Sequence, residues 1–107
     1  MLTASGDSRQ PEAVRDAILQ EAQRILKEGI PEQTLLRMKR SALGRRIREL
    51  DSFDSTAFRL CAYHMSGFDY FRFPQIYASV EEAEILEFLR RVVTPQRCAL
   101  SVIAPLN

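Results

Sequence analysis

The chain has 107 residues, with fifteen basic against fourteen acidic side chains and a formal net charge of +1. That length allows one ordinary domain, and the charge balance excludes a polycation that binds phosphates through its total charge. An apolar content of 46% argues against wholesale disorder, and no apolar run approaches the roughly 20 residues that would span a bilayer.

The opening stretch MLTASGDSRQ has neither a basic n-region nor an apolar h-region, so it does not read as a signal peptide. Met1 to Ala4 suit a short strand, and Gly6, Asp7 and Ser8 a loop. A helix is expected over 11–28. Pro11 fits its first turn, Glu12 and Asp16 suit the positive end of its dipole, and Lys27 suits the other end. Val14, Ala17, Ile18, Ala22, Ile25 and Leu26 make its apolar face, and Gly29 is a natural residue to end it. The short link Ile30-Pro31 predicts that the next helix packs back as an antiparallel partner.

That second helix, over 31–50, carries the densest charge in the chain. Leu35, Leu36, Met38, Ala42, Leu43, Ile47 and Leu50 recur at three- and four-residue steps as one stripe. Arg37, Lys39, Arg40, Arg45, Arg46 and Arg48 fill much of the rest. Gly44 interrupts the helix at a cost of about 1 kcal/mol relative to alanine. A basic face invites a nucleic-acid reading. Glu28, Glu32, Glu49, Asp51 and Asp54 lie close in sequence, however, and the favoured reading is a solvated or internally paired face.

A third helix is expected over 53–66, with Asp51, Ser52 and Asp54 as cap candidates. Phe53, Ala57, Leu60, Cys61, His64, Met65 and Phe68 recur along one side of it. The segment FDYFRFPQIYAS lacks a clean period and reads as an ordered loop or a short turn of helix pinned by Phe71, Phe73 and Tyr77. Ser79 with Glu82 fits a capping box for a fourth helix over 79–93, carried by Ala83, Leu86, Leu89 and Val93 and ending before Pro95. Cys98, Leu100 and Val102 then alternate with Ala99, Ser101 and Ile103, which predicts a strand over 97–104 stopped by Pro105. One strand cannot satisfy its own backbone groups. The expectation is therefore an α+β fold, with four helices on a small antiparallel sheet whose other strands lie outside this sequence. Its unpaired edges would invite self-association.

Little here carries chemistry. His64 is the only histidine and reads as a packing residue, while Cys61 and Cys98 read as small core residues in a reducing compartment. The acidic run Glu81, Glu82, Glu84 and Glu87 reads as a solvated helix start. No zinc-peptidase, nucleophile-elbow or phosphate-loop signature is present, so no catalytic residue and no metal ligand is assigned.

Taken in order, several stretches resemble the C-terminal end of insulinase/pitrilysin-type zinc peptidases, the inverzincins. They are the link EGIPEQTL, the basic helix RMKRSALGRRIREL, the aromatic helix FRLCAYHMSGFDYF, the V-E-E helix and the closing ALSVIAP. The likeness runs from Pro11 to Pro105 and is nearest to bacterial predicted zinc-dependent peptidases. It implies a piece of one of two homologous α+β halves that enclose a chamber. Zinc would sit only in the catalytic half, on an inverted H-x-x-E-H motif absent from this chain. The arginine–tyrosine pair that helps bind substrate in such proteins lies upstream of the matched region, so no residue is carried over to that role.

The resulting expectation is a non-catalytic C-terminal subdomain of a larger peptidase, forming chamber wall and packing against the catalytic half. The chain alone would bind no cofactor. Its partners would be the remainder of the peptidase or a homologous subunit, with a peptide substrate in the parent and a cytoplasmic location without membrane. Two alternatives are a small nucleic-acid-binding or regulatory module using Arg37 to Arg48, and an interaction domain using Phe68 to Tyr77.

Overall fold

The structure, a computed structural model, describes residues 1–105. It holds five α-helices: α1 (Pro11–Glu28), α2 (Glu32–Glu49), α3 (Phe53–Met65), α4 (Phe73–Ser79) and α5 (Glu82–Val92). Short 3₁₀ turns occupy Tyr70–Arg72 and Pro95–Arg97, and the described residues contain no strand. Two compact units emerge, one of residues 1–30 with the chain from Glu82 onward, the other of Pro31–Glu81.

In the first unit α1 packs on α5. Pro11 opens α1, and Gly29 ends it at φ 77° and ψ −173°, a conformation essentially reserved for glycine. The Gly29 N–H donates to the Ile25 carbonyl at 2.8 Å. One residue on, the Ile30 N–H donates to Glu82 Oε1 at 2.8 Å, which ties the end of α1 to the start of α5. Ala22 and Val93 are the buried apolar residues of this unit.

The second unit pairs α2 with α4 and seats α3 and α4 on the turn at Tyr70–Arg72. Tyr70 is its centre, only 4% exposed. Its ring meets those of Tyr63, Phe71 and Phe73 at centroid distances of 5.3, 5.9 and 5.5 Å, within the range where tilted and edge-on aromatic pairs attract. Asp69 caps the turn by accepting the Phe71 N–H at 3.0 Å.

Several expectations are corrected. The fold is all-helical among the described residues, not α+β, and no antiparallel sheet is present. The alternating 97–104 segment begins in the Pro95–Arg97 turn and continues exposed, although Cys98 has extended dihedrals (φ −99°, ψ 131°). Alternation supplies two faces but not the partner that a ladder needs. Met1 to Ala4 are likewise exposed and outside any strand. Among the described residues no strand offers the unpaired edge on which the expected self-association rested, and the sheet that the resemblance implied is not among them.

The helices also divide differently. The aromatic stretch, expected as an ordered loop or a short turn of helix, takes the helical alternative: it supplies the 3₁₀ turn and α4, because Pro74 stands in the first turn of a helix, where its missing N–H costs nothing. Extended dihedrals at Val80 (φ −62°, ψ 128°) separate α4 from α5, so the fourth expected helix starts at Glu82 rather than at residue 79. Ser79 Oγ donates to the Ile76 carbonyl at 2.8 Å and Glu82 accepts from Ile30, so the capping box between them does not form. Within the first unit α1 packs on α5, and within the second α2 packs on α4. Cys61 and Cys98, expected in the core, are both exposed free thiols.

Candidate functional site

Polar side chains converge in one place, around the C-terminal half of α2. Residues 42, 45, 46 and 49 share a side of that helix by its three- to four-residue repeat. Arg46 and Glu49 there meet Arg59 of α3 and Tyr77 of α4. Arg46 Nε donates to the Tyr77 hydroxyl at 3.2 Å, and Arg46 Nη1 donates to Glu49 Oε2 at 3.3 Å. Arg59 Nη1 donates to the same carboxylate oxygen. A cleft of about 570 Å³ opens here, with Met38, Arg45, Arg46, Glu49, Arg59 and Tyr77 in its lining.

The electrostatics follow from these contacts. The Glu49 carboxyl is held below the usual glutamate range, first by the hydrogen bond from Arg59 and then by the charges of Arg59, Arg46 and Arg45, against an opposing effect of burial. Arg46 is raised above its ordinary value, foremost by the bond to Tyr77. Arg59 is raised foremost by Glu49 and next by the phenol of Tyr70. That phenol is nonetheless unsatisfied: the Tyr70 hydroxyl is buried and has no partner in hydrogen-bond geometry. Three guanidinium groups and one carboxylate thus line the cleft, leaving a positive excess.

The basic face singled out in the sequence is only partly gathered by the fold. Lys39 Nζ donates to the Ala78 carbonyl at 2.9 Å, which fastens α2 to α4. Arg37, Arg40, Arg45 and Arg48 make no ion pair among the described residues. Of the acids proposed as their partners, Glu49 alone is recruited to the site, whereas Glu28 pairs with Arg24 within α1. Arg59 and Tyr70 were not singled out as site residues. Nothing local marks them, since the contact from Arg59 to Glu49 crosses ten positions and a change of helix.

The other candidates scatter. His64 is exposed near the end of α3. Phe68 and Phe71 are exposed, Tyr70 is buried, and Phe73 and Tyr77 are half-buried, so the aromatic segment is split between core and surface. In the acidic run, Glu82 holds the Ile30 N–H and Glu87 pairs with Arg90 at 2.9 Å. A second cleft beside Phe88, Arg91 and Arg97 runs along α5. Among the described residues no group of three or more histidine, cysteine, aspartate or glutamate side chains is placed to hold a metal ion. No helix among them is long and apolar enough to cross a membrane.

No protein-family model, curated protein or solved structure matches the chain. The α+β part of the expectation gives way to a helical fold among the described residues.

Proposed function

We propose that the chain is a non-catalytic helical element that docks onto a larger protein and completes it, the parent being an insulinase-type peptidase whose chamber wall it helps to build. One observation carries the docking part: its apolar faces are left uncovered. Phe53, Phe58 and Met65 are 84%, 75% and 88% exposed, and Ile47 and Met38 on α2 are about half exposed. Buried apolar residues number only Ala22, Tyr70 and Val93 among those described. Exposed apolar side chains in this number around α2 and α3 support a partner that covers them. The choice of parent rests on the residue pattern from Pro11 to Pro105 alone. Zinc and the hydrolytic water would belong to the other half of the parent, and the free, exposed thiols Cys61 and Cys98 suit a reducing, cytoplasmic setting.

The test is to mix the chain with the zinc-bearing half of an insulinase-type peptidase and to assay zinc and peptides with the chain alone. A stable complex is expected, lost on Phe58→Asp while the helical circular-dichroism signal persists. The chain alone is expected to hydrolyse nothing. Stoichiometric zinc binding or peptide hydrolysis by the isolated chain overturns the non-catalytic reading. A failure of the two pieces to associate overturns the choice of parent.

A further inference from the structure

The face of α3 that turns away from its own unit is apolar, and its pattern reads the same from either end. Thr56, Arg59 and Tyr63 mark the inward side. Thr56 Oγ1 donates to the Leu50 carbonyl at 3.4 Å, Arg59 is paired with Glu49, and the Tyr63 ring meets that of Tyr70. The other side carries Phe58, Cys61, Ala62 and Met65, which recur at helical spacing and are all exposed. No full charge interrupts this stripe, since Arg59 is occupied on the inward side. A charged ligand finds nothing there to pair with, so the occupant has to be apolar.

We propose that the stripe pairs with the same stripe of a second copy of the chain, the two α3 helices running antiparallel about a two-fold axis between Cys61 and Ala62. The order large, small, small, large selects that occupant. Small residues at the crossing point let two helices approach closely, and the two-fold sets Phe58 of each copy opposite Met65 of the other, a favourable ring–thioether contact. The area suffices as well. At roughly 200 Å² for a fully exposed ring, Phe53, Phe58 and Phe68, which are 84%, 75% and 67% exposed, leave about 450 Å² uncovered per copy. Phe68 is kept at the end of α3 by its N–H, which donates to the Tyr63 carbonyl at 2.9 Å. Met65, 88% exposed, and the small residues between bring the patch toward the roughly 800 Å² per partner of a standard interface. The pairing belongs to the chain alone and does not depend on the choice of parent. A parent that covers α3 would compete for the same stripe.

The experiment follows the full chain by sedimentation equilibrium over a range of concentrations. A reversible dimer is expected, with a dissociation constant on the order of micromolar, as suits an interface at the small end of the stable range. Phe58→Glu and Met65→Lys, each checked for an unchanged helical circular-dichroism signal, should each weaken it by about a hundredfold, because either buries an unpaired charge. Mixing the two variants should restore the dimer. Position 58 of one chain then faces position 65 of the other, so the new carboxylate meets the new ammonium while the second contact stays Phe58 with Met65. In Cys98→Ser, where Cys61 is the one thiol left, a short bis-maleimide should link two copies, whereas Cys61→Ser should stay unlinked. A chain that remains monomeric about a hundredfold above the expected constant, or a dimer that survives both charge substitutions, overturns the proposal. So does a mixture that fails to recover, or linkage through Cys98 instead of Cys61. Association with the zinc-bearing half by a chain that never pairs with itself overturns this inference and leaves the docking reading standing.

Discussion

The two compact units are stabilised in different ways, and the difference locates the chemistry. In the α1–α5 unit the ion pairs are local. Arg24 reaches Glu21 and Glu28 on its own helix, Arg15 reaches its neighbour Asp16, and Arg90 reaches Glu87. Such exposed pairs contribute little and fix nothing beyond a rotamer. In the α2–α4 unit the polar contacts bridge separate helices: Lys39 to Ala78, Arg46 to Tyr77 and Arg59 to Glu49. A contact across helices holds a side chain at a defined point in space, which a recognition site requires. The first unit packs on small residues, the second on an aromatic ring. Charged side chains thus supply solubility in one unit and geometry in the other.

The largest effect that would break this comparison is removal of the ring. Tyr70→Ala should cost about 3–5 kcal/mol, as for other large-to-small aromatic truncations, because Tyr70 touches three other rings. Amide hydrogen exchange is the measurement, with protection expected to collapse across 31–81. Equal collapse at the α1 and α5 amides would show one shared cooperative core and remove the contrast.

Next in size is Gly29→Ala, which probes the other unit. At φ 77° and ψ −173° a side chain is strained, and a Cβ there would lie 2.7 Å from Glu82 Oε1. Strain in that region costs on the order of 1–3 kcal/mol, and the push on Glu82 also threatens its bond to Ile30. Denaturant melts followed by exchange at α1 and α5 should show the loss there. A neutral result would mean that the α1–α5 link is not held by this turn.

The sequence made the helices legible where their signals are local. Pro11 and Gly29 bracket α1 at its expected bounds, and the apolar spacing of α2 and α3 survives to within a residue or so at their ends. It misled where the deciding fact lies elsewhere in the chain. The alternation over 97–104 describes a strand only if a second strand is present. Pro74 sits in an aromatic run without a clean period, yet it stands where a helix begins. The site was half legible. The arginines of α2 were conspicuous, but Arg59 and Tyr70 enter only once the turn after α2 brings α3 back and the turn at Tyr70–Arg72 folds the aromatics inward. The cysteines and His64 showed the reverse error, because apolar neighbours in sequence do not guarantee burial.

The smallest effect sharpens the comparison through acid. Glu21 and Glu49 are both held below the usual glutamate range, Glu21 foremost by its hydrogen bond with Arg24 and Glu49 foremost by its bond with Arg59. A carboxyl whose pKa is depressed by folding contributes stability that is present above its unfolded value, about 4.3. That contribution disappears as the pH falls from there through the lowered folded value. The two glutamates should nevertheless differ in what their loss does. Protonating Glu21 releases an arginine already at the surface, on the same helix, whose companion Glu28 remains to pair with it. Protonating Glu49 releases Arg59 and Arg46 together and loosens α2 from α3. Melting temperature measured between pH 6 and pH 3 should therefore fall less steeply in both variants than in the wild type, with the larger flattening in Glu49→Gln and the smaller in Glu21→Gln. If the two variants flatten the acid limb equally, the bridging pair is no more than another surface pair, and the α2–α4 unit loses its claim to a fixed polar site.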